Sequence, residues 1–269
     1  MPELPEVETT RNGIRPFLCE QQIQSVVIRQ GSLRWPVSEQ LYAIKNAVVE
    51  EVLRRGKYII LCLSKGGILI HLGMSGSLRV VDTLKLPEKH DHIDFVLDSG
   101  KTIRFNDPRR FGCVLWADNW QDHKLISNLG LEPLTNDFTP IYLSQAAKGK
   151  TLAIKQFIMN SKVVVGVGNI YANEALYLAG IHPEKAAGTV SKKKMILLVE
   201  KIKVVLTKAI EQGGTTLKDF VGSDGKPGYF QQQLLVYGRS GKACHQCDTI
   251  LMEIRQNNRS TVYCKICQK

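Results

Sequence analysis

Four of the seven cysteines fall within the last 26 residues, as Cys244, Cys247, Cys264 and Cys267, in the spacing C-x2-C-x16-C-x2-C. In a reducing compartment this spacing reads as a four-thiolate zinc site. A pair of disulfides is the alternative, and the absence of an export signal disfavours it. Most such ribbons are structural, with a closed tetrahedral shell. The pattern therefore predicts one structural Zn2+ that serves folding and not chemistry. Cys19, Cys62 and Cys113 are scattered in apolar surroundings and read as buried free thiols.

With 269 residues, 43% of them hydrophobic, the chain has room for two domains and a sizeable core. No apolar run approaches membrane-spanning length. The N-terminus lacks the apolar stretch of a signal peptide, and Glu3, Glu6 and Glu8 are wrong for one. Cytoplasmic residence, with no membrane partner, is the expectation. The net charge of +11 and pI near 9.3 point to a polyanion partner, most often nucleic acid.

The first 130 or so residues read as a helix followed by many short strands: Ile23–Arg29, Val48–Arg54, Tyr58–Leu63, Ile68–Leu72, Leu78–Val81, Ile93–Leu97, Thr102–Phe105 and Cys113–Trp116. Turn signals such as Ser64-Lys65-Gly66-Gly67 separate them, which suggests a sandwich or barrel. After a linker at 131–140 the pattern turns helical, over Tyr142–Lys148, Thr151–Met159, Ile170–Ala179 and Lys192–Gln212. In the last of these, Ile196, Val199, Ile202, Val205, Leu206 and Ile210 make an apolar stripe. Residues 213–232 read as a long functional loop.

The chain opens Met1-Pro2-Glu3-Leu4-Pro5-Glu6. A small residue at position 2 is where initiator methionine is trimmed, leaving a secondary amine on Pro2. An α-amino group titrates near ~8, so part of it is neutral and able to form a Schiff base. Pro5 suits the start of a helix, whose positive end disfavours the protonated amine. Glu3 and Glu6 are candidate acid or base groups beside it. Alone, Pro2 is equally a structural start, and the glutamates are ordinary dipole compensation.

Other candidates sit on turns. Lys57 follows Gly56 between two strands, placed for a phosphate or a sugar oxygen. His71-Leu72-Gly73-Met74-Ser75-Gly76 puts a histidine at a strand end and a methionine in a glycine-bracketed turn. Asn106-Asp107-Pro108-Arg109-Arg110-Phe111-Gly112 puts two arginines and a phenylalanine on another. Apolar wedges beside arginine suit the filling of a gap in a base stack, and a protein–protein patch is the alternative. Gly166-Val167-Gly168-Asn169 precedes a helix whose N–H groups can hold a phosphate, with Asn169 able to cap it. The same segment is otherwise a simple interhelical turn. In Asn257-Asn258-Arg259-Ser260, Arg259 at a hairpin tip can reach a phosphate or a base edge.

Together these motifs resemble the bacterial formamidopyrimidine-DNA glycosylase family of base-excision repair enzymes, over essentially the whole chain. The resemblance rests on Met1 to Thr9, Arg55-Gly56-Lys57-Tyr58, His71 to Gly76, Asp107 to Gly112, Gly166-Val167-Gly168-Asn169-Ile170-Tyr171 and the four-cysteine finger. It implies an α+β fold: an N-terminal β-sandwich with a leading helix (1–130), the linker (131–140), a helix-two-turns-helix domain with a lesion loop (141–232) and a zinc finger (233–269). Double-stranded damaged DNA would lie in a basic cleft, bound by a monomer associated with the nucleoid. Pro2 would attack C1′ of the damaged nucleotide. Glu3 would protonate the sugar ring oxygen, Glu6 would support it, and Lys57 would contact the site phosphate. Met74, Arg109 and Phe111 would fill the space of an extruded base, with Arg109 facing the estranged cytosine. His71, Asn169 and Arg259 would bind flanking phosphates, and His90, Arg110, Lys155 and Gly168 complete the expected DNA contacts. The loop from Thr216 to Tyr229 would read the flipped purine.

The implied reaction is removal of 8-oxoguanine and formamidopyrimidines followed by β,δ-elimination, with no redox or nucleotide cofactor. An oxidised-pyrimidine glycosylase of the same superfamily is the alternative, but Leu4 stands where that branch typically has glycine. A lesion binder with a disabled site is a further alternative. Its one support is Asn160, which stands where the family usually carries an acidic group.

Overall fold

The computed structural model describes residues 1–214 and 233–269. Its first regular element is set by two residues. Pro5 lies in the first helical turn, where a missing N–H costs nothing, and Glu6 Oε2 reaches back to accept the Glu3 N–H at 2.8 Å. Helix α1 (Leu4–Leu18) follows, and it buries Leu4, Val7, Ile14 and Leu18 on one side. Glu8 faces the other way and accepts from Arg11 and from Arg54 Nε, the latter at 2.6 Å. Burial alone would raise the Glu8 pKa, but these two guanidinium groups hold it below the usual range.

The described residues divide into two units, one built on Met1–Asn128 together with 212–214, the other on Leu129–Glu211 together with 233–269. Beyond α1, the first unit has strands β1 (Gln22–Ile28), β2 (Ala47–Arg55), β3 (Tyr58–Leu63), β4 (Gly66–His71), β5 (Ser77–Asp82), β6 (Asp91–Leu97), β7 (Lys101–Asn106) and β8 (Cys113–Ala117). Their order is β5-β7-β6-β1-β2-β3-β4-β8, antiparallel throughout. The β1–β2 pairing spans only Gln22↔Val48 and Ile23↔Ala47. The order therefore turns there into the two four-stranded layers of a β-sandwich. One core of residues such as Ile23, Val52, Ile59, Ile70, Phe95 and Phe105 joins both layers to α1. Each such side chain contributes roughly 1.5–3 kcal/mol by leaving water. Arg104, 2% exposed, pairs twice with Asp94 at 2.8 Å and donates to the carbonyls of Lys85 and Leu86. Of the three scattered thiols, Cys113 is buried as expected. Cys19 and Cys62 are only half-buried, because Cys19 ends α1 and Cys62 points to the outer face of β3.

The second unit holds α2 (Pro140–Ala147), α3 (Ile154–Ile158), α4 (Asn169–Ala179), α5 (Lys192–Glu211) and a hairpin of β9 (Met252–Gln256) and β10 (Arg259–Tyr263). Helix α3 starts later than the pattern suggests. Ala153 is extended and bridges Ala186, and the Ile154 N–H goes to Lys185 O. The α5 stripe is also rotated from the expected one. Met195, Leu198, Val199, Ile202, Val205, Leu206 and Ala209 are buried, while Ile196 is 56% exposed, because α5 packs on α2 and α4 along the 195–209 side. Among the described residues no helix is long and apolar enough to cross a membrane.

Candidate active site

The start of α1 gathers two acids and the Pro2 nitrogen, which is a peptide nitrogen while Met1 is attached. Pro2 is buried directly before the helix, and Glu3 and Glu6 are 3% and 1% exposed. The backbone at Gly214 lies against the same carboxylate: a Cβ placed there would sit 3.1 Å from Glu6 Oε1, and φ is +81°. A glycine meets both demands. Gly214 thus brings the chain that enters the expected lesion loop up to Glu6. Thr216 and Tyr229 lie outside the described residues.

Strand register brings the next candidates to one end of the sheet. Tyr58 pairs with His71, and His71 pairs with Cys113. Lys57 is in the turn just before Tyr58, so it lies near the His71 ring, which is 4.9 Å from that of Tyr58. Burial, then the charges of Lys57 and Arg34, push the His71 pKa down to about 4. The imidazole is therefore neutral near pH 7. Its Nδ1 accepts the Gly73 N–H at 2.9 Å, which leaves the ring proton on Nε2 as the donor. Burial pushes the Cys113 thiol up to about 12, so it is no nucleophile.

The two turns that leave β4 and enter β8 sit side by side. Met74 is half-buried, Arg109 and Arg110 are exposed, and Phe111 is 46% exposed. The Arg109 guanidinium lies 4.8 Å from the Phe111 ring centroid. His90, in a left-handed backbone conformation (φ +73°), accepts the Asp107 N–H on its carbonyl at 3.1 Å, and its ring meets that of His92 edge-on. Asp107 itself is fully buried.

In the second unit Gly168 is the N-cap of α4 and Asn169 its first residue. Asn169 therefore does not cap the helix as expected. Its Nδ2 donates to Ser260 O at 3.0 Å and its Oδ1 accepts Lys155 Nζ at 2.7 Å. Lys155, expected among the DNA contacts, is 1% exposed and also donates to Thr261 Oγ1 at 2.6 Å. Its ammonium fixes Asn169 and the start of β10. Asn173, which the sequence reading did not single out, completes the tie by accepting the Val262 N–H at 2.9 Å. Arg259 opens β10 after a turn in which Asn257 and Asn258 are both left-handed, the geometry of a two-residue hairpin. Lys155, Asn160, Asn169, Asn257 and Arg259 line one cavity of about 250 Å³. Asn160 Oδ1 accepts the Lys162 N–H at 3.0 Å, and so holds the turn that precedes α4.

The four clustered cysteines bring their sulfurs within 4.8 Å of one another, with pairs at 3.5 and 3.9 Å. Tetrahedral zinc with bonds near ~2.3 Å separates its sulfurs by about 3.8 Å. The quartet fits such an ion and is far from disulfide distance.

A helix-led β-sandwich with acids at its N-terminus, a helix-two-turns-helix unit and a thiolate-clustered hairpin define a two-unit protein of the helix-two-turns-helix class. Comparison narrows the class. The sequence profile of the formamidopyrimidine-DNA glycosylase N-terminal domain matches residues 1–114, and that of the glycosylase H2TH domain matches residues 129–221. The chain is 56% identical to the formamidopyrimidine-DNA glycosylase of Photobacterium profundum and 53% to that of Escherichia coli, each alignment covering 100% of both chains. It superposes on the MutM (Fpg) protein of Thermus thermophilus with a TM-score of 0.89 at 34% identity, over 99% of this chain and 98% of that one. A Lactococcus lactis Fpg mutant bound to Fapy-dG-containing DNA gives 0.92 at 31% identity, over 100% of each. The chain belongs to the formamidopyrimidine-DNA glycosylase family.

Proposed function

We propose that this DNA glycosylase removes oxidised purines from damaged duplex DNA with the Pro2 nitrogen as its nucleophile, exposed by removal of Met1. The observation that carries the reading is the buried pair Glu3 and Glu6 closed around the start of α1 beside Pro2. Burial and the positive helix end both favour a neutral amine there. Its lone pair forms a bond to C1′ as the N-glycosidic bond breaks and the base leaves with its electron pair, taking up the proton that the Pro2 nitrogen loses. Glu3 delivers a proton to the ring oxygen, so the sugar opens and an iminium remains. The iminium is an electron sink that permits loss of the C2′ proton and of the 3′ phosphate, then of the 5′ phosphate. Glu6 fixes the Glu3 backbone, and Lys57 holds the phosphate at the site.

A base within a stack cannot offer C1′ to an amine, so it must be extruded at a cost of a few kcal/mol. Met74, Arg109 and Phe111 fill the gap and offset part of that cost, with His90 and Arg110 on the phosphates nearby. His71 Nε2, the Gly168–Asn169 helix start and Arg259 bind flanking phosphates, and Lys155 orients Asn169. Cys244, Cys247, Cys264 and Cys267 would hold one Zn2+, whose chemistry is to cross-link the hairpin bearing Arg259.

Borohydride added to Met1-free protein and an 8-oxoguanine duplex should trap a covalent adduct. Pro2→Gly replaces the constrained secondary amine by a flexible primary amine and should reduce trapping strongly. Absence of any adduct from protein shown by mass to begin at Pro2 rejects the mechanism. Faster cleavage of thymine glycol than of 8-oxoguanine rejects the purine assignment alone.

A further inference from the structure

The two turns expected to replace the extruded base are joined by groups that take no part in the chemistry above. Asp107 is 0% exposed and directs one carboxylate oxygen to each turn. Oδ1 accepts Ser75 Oγ–H at 2.8 Å, beside Met74, and Oδ2 accepts the Gly112 N–H at 2.7 Å, beside Phe111. Ser75 Oγ in turn accepts the Arg109 N–H at 3.3 Å. The backbones also touch: a Cβ on Gly73, whose φ is +65°, would fall 2.4 Å from both Phe111 C and Gly112 N. Two connections far apart in sequence are thus joined by two bonds, both through Ser75, and one backbone contact, while the Asp107–Gly112 bond closes the second turn on itself. Their tips meanwhile leave Phe111 and Arg109 in solvent.

A surface turn needs no buried carboxylate to be a turn. Burying one is costly unless its bonds are all made, and here they are spent on relative position. We propose that Asp107 and Ser75 are positioning residues that couple the Met74 turn to the Arg109–Phe111 turn, so that all three side chains enter the base stack as one rigid wedge. This rests on the reading that these side chains take the place of the extruded base. A wedge held to within a fraction of an ångström also decides which opposite base Arg109 can meet, so the clamp sets opposite-base preference as well as extrusion rate.

The test uses Met1-free protein and duplexes with 8-oxoguanine opposite cytosine or adenine and 2-aminopurine beside the lesion. Ser75→Ala should slow the fluorescence phase that reports extrusion about tenfold, the worth of one buried hydrogen bond. It should also lower the cytosine-over-adenine preference in kcat/KM several-fold, while cleavage of a preformed abasic site, which has no base to extrude, changes less than about twofold. Ser75→Thr, which keeps the oxygen, should restore both. In an Arg109→Ala background Ser75→Ala should still slow extrusion through Met74 and Phe111, but it should no longer change the cytosine-over-adenine preference, which the clamp sets through the Arg109 side chain.

An undiminished extrusion rate in Ser75→Ala, with Arg109→Ala slow, overturns the clamp and leaves the wedge standing. Unchanged rates in both variants remove the wedge reading itself. A cytosine-over-adenine preference that Ser75→Ala lowers equally with and without the Arg109 side chain would show general damage and overturn the clamp. If Ser75→Ala melts more than about 10 °C early, Ser75→Cys is read by the same criteria.

Discussion

His71 shows how a single residue's surroundings decide its chemistry. Alone in the sequence it is a histidine at a strand end, free to be cation, base or ligand. Enclosure beside Tyr58, with the charges of Lys57 and Arg34 near it, holds it neutral down to about pH 4, and the Gly73 N–H selects the tautomer. An unfolded histidine titrates near ~6.5. Between about 6.5 and 4 the unfolded chain takes up a proton that the folded protein refuses, so stability drops as pH falls through that window and is level above it. His71→Asn, whose Oδ1 can still accept from Gly73, should remove this loss. The gap in Tm between wild type and variant should shrink as pH falls from 7 to 5, and a constant gap would contradict a depressed pKa. A neutral donor also releases no counterion. His71→Asn should weaken DNA binding without changing the slope of log K against log salt, whereas Arg259→Ala should reduce that slope by about 0.9.

At the scale of elements, local patterns announced the pieces well. Short runs between turn signals marked β1 to β8 to within a residue or two, and Pro5 marked the start of α1. What they could not announce is how elements hold one another, because those partners are distant in sequence. Glu174 on α4 was not singled out at all. Yet it is 2% exposed and accepts the N–H groups of Leu235, Val236 and Tyr237 at 2.8, 3.0 and 2.8 Å, some 60 residues on. One carboxylate thereby pins the segment that leads to the finger onto the helix-two-turns-helix unit. Glu174→Gln keeps the shape but turns an NH2 group toward one of those donors, at a cost of about 1–3 kcal/mol. Thermal unfolding followed by circular dichroism should shift down by about 4–8 °C. Amide exchange should quicken at 235–237 before it does in the sandwich. No change in either would mean that the three bonds are replaceable by water.

The whole molecule is two units with very different means of support. The first rests on one large core shared by two sheets and α1. Among the described residues, the hairpin end of the second packs on a small cluster, Tyr177, Val236, Cys244, Leu251, Val262 and Cys264, two of whose members are metal-site cysteine candidates. A core that size does not hold a hairpin, and a metal ion on the four cysteines would supply the difference. Chelation should release one zinc per chain and abolish amide protection across β9 and β10 while β3 and β4 stay protected. DNA affinity should fall and return with added zinc. Retained protection at Val262 after complete metal loss would show that the small cluster suffices alone.

The residues that do chemistry through their own functional groups at short range were legible from sequence, because cysteine spacing, a proline before a helix and arginine in a tight turn carry their physics locally. The sequence thus determined which four cysteines gather, that Glu3 and Glu6 stand at the start of α1 beside Pro2, and that Met74, Arg109 and Phe111 fall on turns. Only the tertiary structure decided that Lys155 turns inward onto Asn169 and Thr261, that Asn169 serves the hairpin and does not cap α4, and that Asp107 joins two turns. The reason is physical. A buried charge persists only where several partners meet it at once, and for Lys155 and Thr261 those partners stand 106 residues apart along the chain.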